Sequence, residues 1–295
     1  MGAVTDLHAT TVGDLLRRGA AQLAQAGIED AAREATWLLE AALGMTQLDL
    51  RLNETRPVSD EHLRRAQTLL ARRANREPLQ YLLGTQEFCG LEFKVTPSVL
   101  IPRPETELLV DEVVRRVAAD PKPVIADIGT GSGCIAVALV RQLPQAVLHA
   151  VDRSADALRI ARWNAERLNV ASRITWHEGD LIAPLRKQGL AGRVDVIVSN
   201  PPYIAECGWE TLQPEVRRYE PRLALAAGED GCAVYRRLVP EAAEMLCVGG
   251  WLVLEIGQGQ AQAVRALLDA EGRYGSVEIR KDAAGIERVV CTQKV

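Results

Sequence analysis

From residue 122 to residue 256 the sequence repeats one unit: a short, largely β-branched apolar run, a turn, then a helical pattern. Strands read at 124–128, 147–152, 173–177, 194–199 and 251–256, with helices near 133–142, 155–169 and 232–247. Strands separated by helices build a mainly parallel sheet covered on both faces, which makes the fold class α/β. In open sheets of this kind ligands bind beyond the carboxyl ends of the strands, so those ends are where function is to be read.

The first strand ends in "VIADIGTGSGCIAVAL". Gly129, Gly131 and Gly133 let the backbone turn tightly and approach a ligand, and the following helix offers free N–H groups to an anionic group. The second strand ends in Asp152, whose carboxylate can accept hydrogen bonds from both hydroxyls of a ribose. The third ends in Asp180 beside Leu181, an acid to take an adenine amino group and an apolar side chain to cover the ring. These ends describe an adenosine-containing ligand with an anionic end. "GSGCIA" (131–136) fits the G-x-G-x-x-A form of a dinucleotide fingerprint; the other candidate is S-adenosylmethionine, for which an acid just before the glycines, here Asp127, is favoured.

The fourth strand ends in Asn200-Pro201-Pro202-Tyr203, where a sulfonium methyl would lie. Hydride transfer needs no such element. Methylating an amino or amide nitrogen does, because the lone pair is delocalised and the nitrogen is a poor nucleophile. The Asn200 side-chain oxygen and the Pro201 carbonyl can each accept one N–H, orienting the nitrogen and aiming its lone pair along the S–CH3 axis. Proline fixes φ at about −65°, so the carbonyl direction is built in. Tyr203 offers a flat face to a planar amide or base.

Upstream, residues 11–76 read as helices, with Gly27 and Gly44 stopping the first two and Ser59 capping "DEHLRRAQTLLARRANRE". Ala31, Ala35, Leu38, Leu39 and Ala42 share one helical face. Arg64, Arg65, Arg72, Arg73 and Arg76 lie off the apolar face of the third long helix and read as a solvated face, with docking of an acidic partner as the lesser reading. From Thr85 the pattern becomes a hairpin, "EFCGLEFKV", bent at Cys89-Gly90. It carries both phenylalanines of the chain, Phe88 and Phe93, and is expected to pack between domains.

Composition narrows the partners. The net charge of −4 and pI of about 5.7 count against nucleic acid as the main partner. The six scattered cysteines form no C-x-x-C pair and the four histidines are isolated, which suggests free thiols and no metal site. No apolar run approaches the ~18 residues that span a bilayer. "MGAVTDLHATTVGDLL" shows no signal-peptide pattern, and Asp6 stands where N-myristoylation at Gly2 wants Ser or Thr.

Four longer stretches, "LIPRPETE" (100–107), "DIGTGSGCIA" (127–136), "SNPPYI" (199–204) and "EPRLALAAGEDG" (220–231), resemble the release factor glutamine methyltransferases, the PrmC/HemK family. The likeness runs from "EATWLLEAALG" to "GIERVV". It implies a small helical domain at 1–84 that recognises substrate, a hairpin linker at 85–101, and a Rossmann-like, seven-stranded class I methyltransferase domain at 102–295 with an antiparallel last strand. It further implies a cytoplasmic enzyme using S-adenosyl-L-methionine, leaving S-adenosyl-L-homocysteine. The substrate would be the Gly-Gly-Gln glutamine of class I peptide chain release factors, with no membrane or direct nucleic-acid partner. Carried over by position, Gly129, Thr130, Gly131, Ser132, Gly133, Asp152, Asp180, Leu181 and Asn200 would bind the cofactor, and Asn200, Pro201, Pro202 and Tyr203 the glutamine. Arg103 and the 220–231 loop receive no role. The rival reading is an amino-methyltransferase using the same clamp on a flipped nucleic-acid base.

Overall fold

The computed structural model describes residues 10–295; the first nine, on which the leader and lipidation readings rest in part, lie outside the described residues. The chain divides into two units, the described part of Met1–Gly84 together with Pro214–Tyr219, and Thr85–Gln213 together with Glu220–Val295.

The first unit is helical, with helices at Val12–Gln25, Ala31–Leu43, Gln47–Leu52, Asp60–Ala74 and Leu79–Leu83. The first, third and fourth start at side-chain caps. Thr11 with Asp14 and Thr46 with Asp49 form reciprocal capping boxes, and Ser59 accepts the His62 N–H. Gly44 (φ 64°) ends the second helix. Ala35, Leu38, Leu39 and Ala42 are wholly buried among Leu23, Leu50 and Leu70, as their spacing requires.

The arginine face is not simply solvated. Arg73 is buried, and its Nε donates to Glu34 at 2.5 Å while its Nη1 donates to Glu215 at 2.9 Å. Arg76 Nη2 reaches the other Glu215 oxygen at 2.8 Å. Burial opposes the charged guanidinium, yet Glu34 and Glu215 together hold the Arg73 pKa above its ordinary value. Glu215, on the short helix Pro214–Tyr219, lies far along the chain from Arg73, so helical periodicity could not disclose it.

The second unit opens with a separate antiparallel hairpin, β1 (Thr85–Phe88) and β2 (Leu91–Lys94), turned at Cys89 and Gly90 with φ of 50° and 69°. Phe88 and Phe93 pack edge to face at 6.1 Å. They join the core of this unit with Leu109, Val113 and Leu139.

A seven-stranded sheet follows: β3 (Val124–Ile128), β4 (Val147–Asp152), β5 (Ile174–Glu178), β6 (Val194–Ser199), β7 (Leu246–Glu255), β8 (Glu278–Lys281) and β9 (Glu287–Gln293). Its order is β5-β4-β3-β6-β7-β9-β8, parallel from β3 to β7, with β9 antiparallel to both neighbours. β7 begins five residues before the apolar run did, because Leu246 pairs with Val194 ahead of a register shift that Gly249 and Gly250 fill. The chain winds outward from β3 to β5, then returns to lay β6 against the other side of β3. A crevice opens at such a reversal, at the carboxyl ends of β3 and β6.

Candidate active site

One cavity occupies that crevice, lined by Gly129, Gly131, Asp152, Asp180, Leu181, Asn200 and Pro202. The four strand ends singled out in the sequence therefore converge.

The glycine loop is held from below. Gly131 (φ 56°) donates its N–H to Asp152 Oδ2 at 2.8 Å, and the Ser154 N–H binds Oδ1 at 2.8 Å. Two backbone donors thus orient Asp152 toward the cavity, while burial lifts its pKa against them. Thr130, Ser132 and Gly133 do not line the cavity. The buried Thr130 hydroxyl donates to Asp127 Oδ2 at 2.6 Å. A Cβ on Gly133 would meet that of Ala161 at 3.0 Å, so glycine there lets the following helix close on its neighbour. The Ser132 carbonyl accepts from Asn164 Nδ2 at 2.9 Å. Asn164, wholly buried, also exchanges two hydrogen bonds with the backbone of Lys94, tying β2 to the loop. Nothing local marks Asn164 in the sequence; its partners are remote along the chain.

Asp127 lies beneath the loop, wholly buried, with Oδ1 lacking a protein partner. Burial raises its pKa to about 7, the Thr130 hydrogen bond opposing and the Asp152 charge adding. At the cavity's far side the exposed Asp180 accepts from Arg237 Nη2 at 2.5 Å, a partner that sequence spacing did not reveal. Its neighbour Leu181 adopts a left-handed φ of 44°, unusual outside glycine.

The end of β6 is pinned by the Ser199 hydroxyl, which donates to the Ile128 carbonyl at 2.6 Å. Asn200 and Pro202 face the cavity, Pro201 is buried, and Tyr203 does not line it. Tyr203 packs against the apolar cluster that includes Ile256, and its phenol donates to Glu255 Oε1 at 3.5 Å. Asn200 Nδ2 donates to Thr106 Oγ1 at 3.1 Å, and Thr106 Oγ1 donates to Glu255 Oε2 at 2.7 Å. Glu255 is 2% exposed, and burial raises its pKa to about 7.

The two stretches without a role meet each other. Arg103 donates to Glu220 Oε1, and the buried Glu220 also takes the Ile101 N–H at 3.2 Å. Pro221, Leu223 and Ala224 of the same loop line the cavity. Among the described residues no group of three or more His, Cys, Asp and Glu is arranged to hold a metal. No described helix is long and apolar enough to cross a membrane.

A parallel sheet closed by an antiparallel strand, with a glycine loop, two terminal acids and Asn-Pro-Pro-Tyr around one crevice, is the build of a Rossmann-like methyltransferase. Residues 104–213 match the model of the methyltransferase small domain, and residues 14–84 that of the PrmC N-terminal domain. The release factor glutamine methyltransferase of Geobacter sulfurreducens is 51% identical over 91% of this chain and 91% of its own. That of Moorella thermoacetica is 44% identical over 94% and 95%. The hMettl16 catalytic domain, solved with an RNA hairpin, superposes with a TM-score of 0.57 over 76% of this chain and 81% of its own, at 18% identity, a likeness of fold alone. The chain belongs to the release factor glutamine methyltransferase family, and the base-methylating reading is not favoured.

Proposed function

We propose that this protein transfers a methyl group from S-adenosylmethionine to the side-chain amide nitrogen, N5, of the Gly-Gly-Gln glutamine of class I peptide chain release factors, in the cytoplasm. The observation that carries the reading is that Asn200 faces the same cavity as the glycine loop, Asp152 and Asp180.

The cavity suits the cofactor. A Cβ on Gly129 would meet no atom within 4 Å, so the loop leaves open space above it. Asp152, which lines the cavity, would hold the ribose hydroxyls. Asp180 and Leu181 would take the adenine, and the glycine loop, whose Gly129 and Gly131 line the cavity, would lie against the amino-acid end. S-adenosylmethionine, when bound, supplies an electrophilic methyl carbon on a sulfonium.

The chain's own part is to orient the nucleophile. Asn200 Oδ1 and the Pro201 carbonyl accept the two N–H groups of the substrate amide, drawing its nitrogen toward tetrahedral geometry with the lone pair aimed into the cavity. As the nitrogen bonds to carbon it gains positive charge, and the two oxygens meet that charge where it grows. Its proton, made acidic by alkylation, leaves to water or to an accepting carbonyl. The reading needs no general base before attack.

A methyl-transfer assay with labelled S-adenosylmethionine tests this on three acceptors: a purified class I release factor, its Gly-Gly-Gln→Gly-Gly-Ala variant, and duplex DNA. Label on the native factor alone is expected. Label on DNA, or equally on both factors, would overturn the assignment.

A further inference from the structure

The Asn-Pro-Pro-Tyr turn fixes the backbone of Asn200 but not which end of its amide faces the cavity. Rotated end for end, Asn200 would present its NH2 to a substrate that also offers N–H, and two donors would meet. The group behind Asn200 decides between the two orientations. Thr106 Oγ1 has one proton and lies between Asn200 Nδ2, at 3.1 Å, and Glu255 Oε2, at 2.7 Å. An ionised carboxylate only accepts hydrogen bonds, and Glu255 is buried, with the Thr106 and Tyr203 hydroxyls as its side-chain donors. The Thr106 proton is therefore committed to Glu255, which leaves that hydroxyl able only to accept from Asn200. Nδ2 must then point at Thr106 and Oδ1 at the substrate.

We propose that Thr106 and Glu255 are positioning residues that set the Asn200 amide with its oxygen toward the glutamine; this rests on the function proposed above. Thr106 belongs to the "LIPRPETE" stretch and ends the short turn Pro104–Thr106, while Glu255 ends β7, next to β6. The relay thus brings three strand and turn ends onto one side chain.

Its polarity reverses when Glu255 is neutral. A proton on Oε2 is donated to Thr106 Oγ1, whose own proton is then free to turn toward Asn200 and favours the amide rotated end for end. Burial raises the Glu255 pKa to about 7, Arg288 on β9 pulling it down and Glu105 pushing it up. The Tyr203 phenol faces the other carboxylate oxygen, and Tyr235 donates to the Glu255 backbone carbonyl. Turnover at saturation should therefore rise with pH through about 7. Asp127, raised into the same range, sits under the glycine loop and bonds the Thr130 hydroxyl rather than this relay.

The test uses the full chain and its Thr106→Val, Thr106→Ser and Glu255→Gln variants. Each is assayed for kcat and KM across the neutral pH range with a class I release factor, and for cofactor affinity and melting. Above neutrality, Thr106→Val and Glu255→Gln should lower kcat about tenfold, as the loss of one directed hydrogen bond warrants, with cofactor affinity unchanged. Both should lose the acid limb, and Thr106→Ser should return to within about threefold of wild type. An unchanged pH profile in Glu255→Gln, or a Thr106→Ser as impaired as Thr106→Val, would overturn the relay. A readout without substrate separates this from the function itself. The side-chain amide NMR signals of Asn200 should shift with an apparent pKa of about 7 in wild type and stay fixed in Glu255→Gln. If those signals behave so while no release factor is methylated, the functional assignment falls and the relay stands. If they do not titrate, the relay falls.

Discussion

In the helical unit the half-buried carboxylate of Glu215 meets two guanidinium groups, whereas in the sheet unit the buried carboxylates of Asp127 and Glu255 meet hydroxyls and a neighbouring like charge. Burial acts in the same direction on all three, but Arg76 and Arg73 hold Glu215 below its ordinary pKa, while Asp127 and Glu255 rise to about 7. The first arrangement holds a helix in place. The second leaves the acids without a directly bonded cation, Glu255 having only the attraction of Arg288, at a cost in stability, which is the usual mark of a working site.

The largest effect should come from breaking the compensated side. Arg73→Met leaves Glu34 and Glu215 without their shared partner and should cost the helical unit about 3–5 kcal/mol, the range for one partner lost from a buried pair. Denaturation followed by a probe in that unit would read it; a loss under about 1 kcal/mol would make the network ornamental. On the uncompensated side, Asn200→Ala should cut turnover by about 10²–10³-fold, roughly 3–4 kcal/mol. Single-turnover rates within about threefold of wild type would remove Asn200 from the clamp. Asp152→Ala should weaken cofactor binding by about 1.5–3 kcal/mol, read by calorimetry, and unchanged affinity would end its ribose role.

The smallest effect sharpens the contrast. A carboxyl with a raised folded pKa contributes stability fully below its unfolded pKa, near 3.8, and loses it as pH rises through about 7. Asp127→Asn should then be more stable than wild type above that pH, by roughly 1–3 kcal/mol, and lack the slope between the two values. Urea melts at several pH values would show this. A variant less stable throughout would mean Asp127 is compensated after all.

What the sequence disclosed and what it hid divide along the same physical line. Features with a short period were legible: the apolar runs of β3, β4 and β6, the glycines, the strand-end acids, and the Asn-Pro-Pro-Tyr turn. β9 surfaced only through the family likeness, and the start of β7 was masked by Gly249-Gly250, because neither keeps a clean apolar alternation. Partnerships formed across the chain were not legible. Arg73 with Glu215, Arg103 with Glu220, Asp180 with Arg237, Asn164 with Ser132, and Thr106 with Glu255 are joined by folding alone. Thr130, Ser132 and Gly133 share the glycine motif with Gly129 and Gly131, and the motif alone does not separate them. Thr130 turns inward to Asp127 and Gly133 serves helix packing, so the motif mixes residues that face the cavity with residues that build its wall.

The account stands on a clamp that delivers an amide nitrogen. The most direct measurement is the position of the transferred methyl group in a release factor labelled by this protein. Acid hydrolysis of N5-methylglutamine gives glutamate and methylamine, so the account predicts that the label leaves as volatile methylamine from the Gly-Gly-Gln peptide. Label released as methanol by mild base would place the methyl on a carboxylate oxygen, and label retained after hydrolysis would place it on another side chain; either would contradict the clamp.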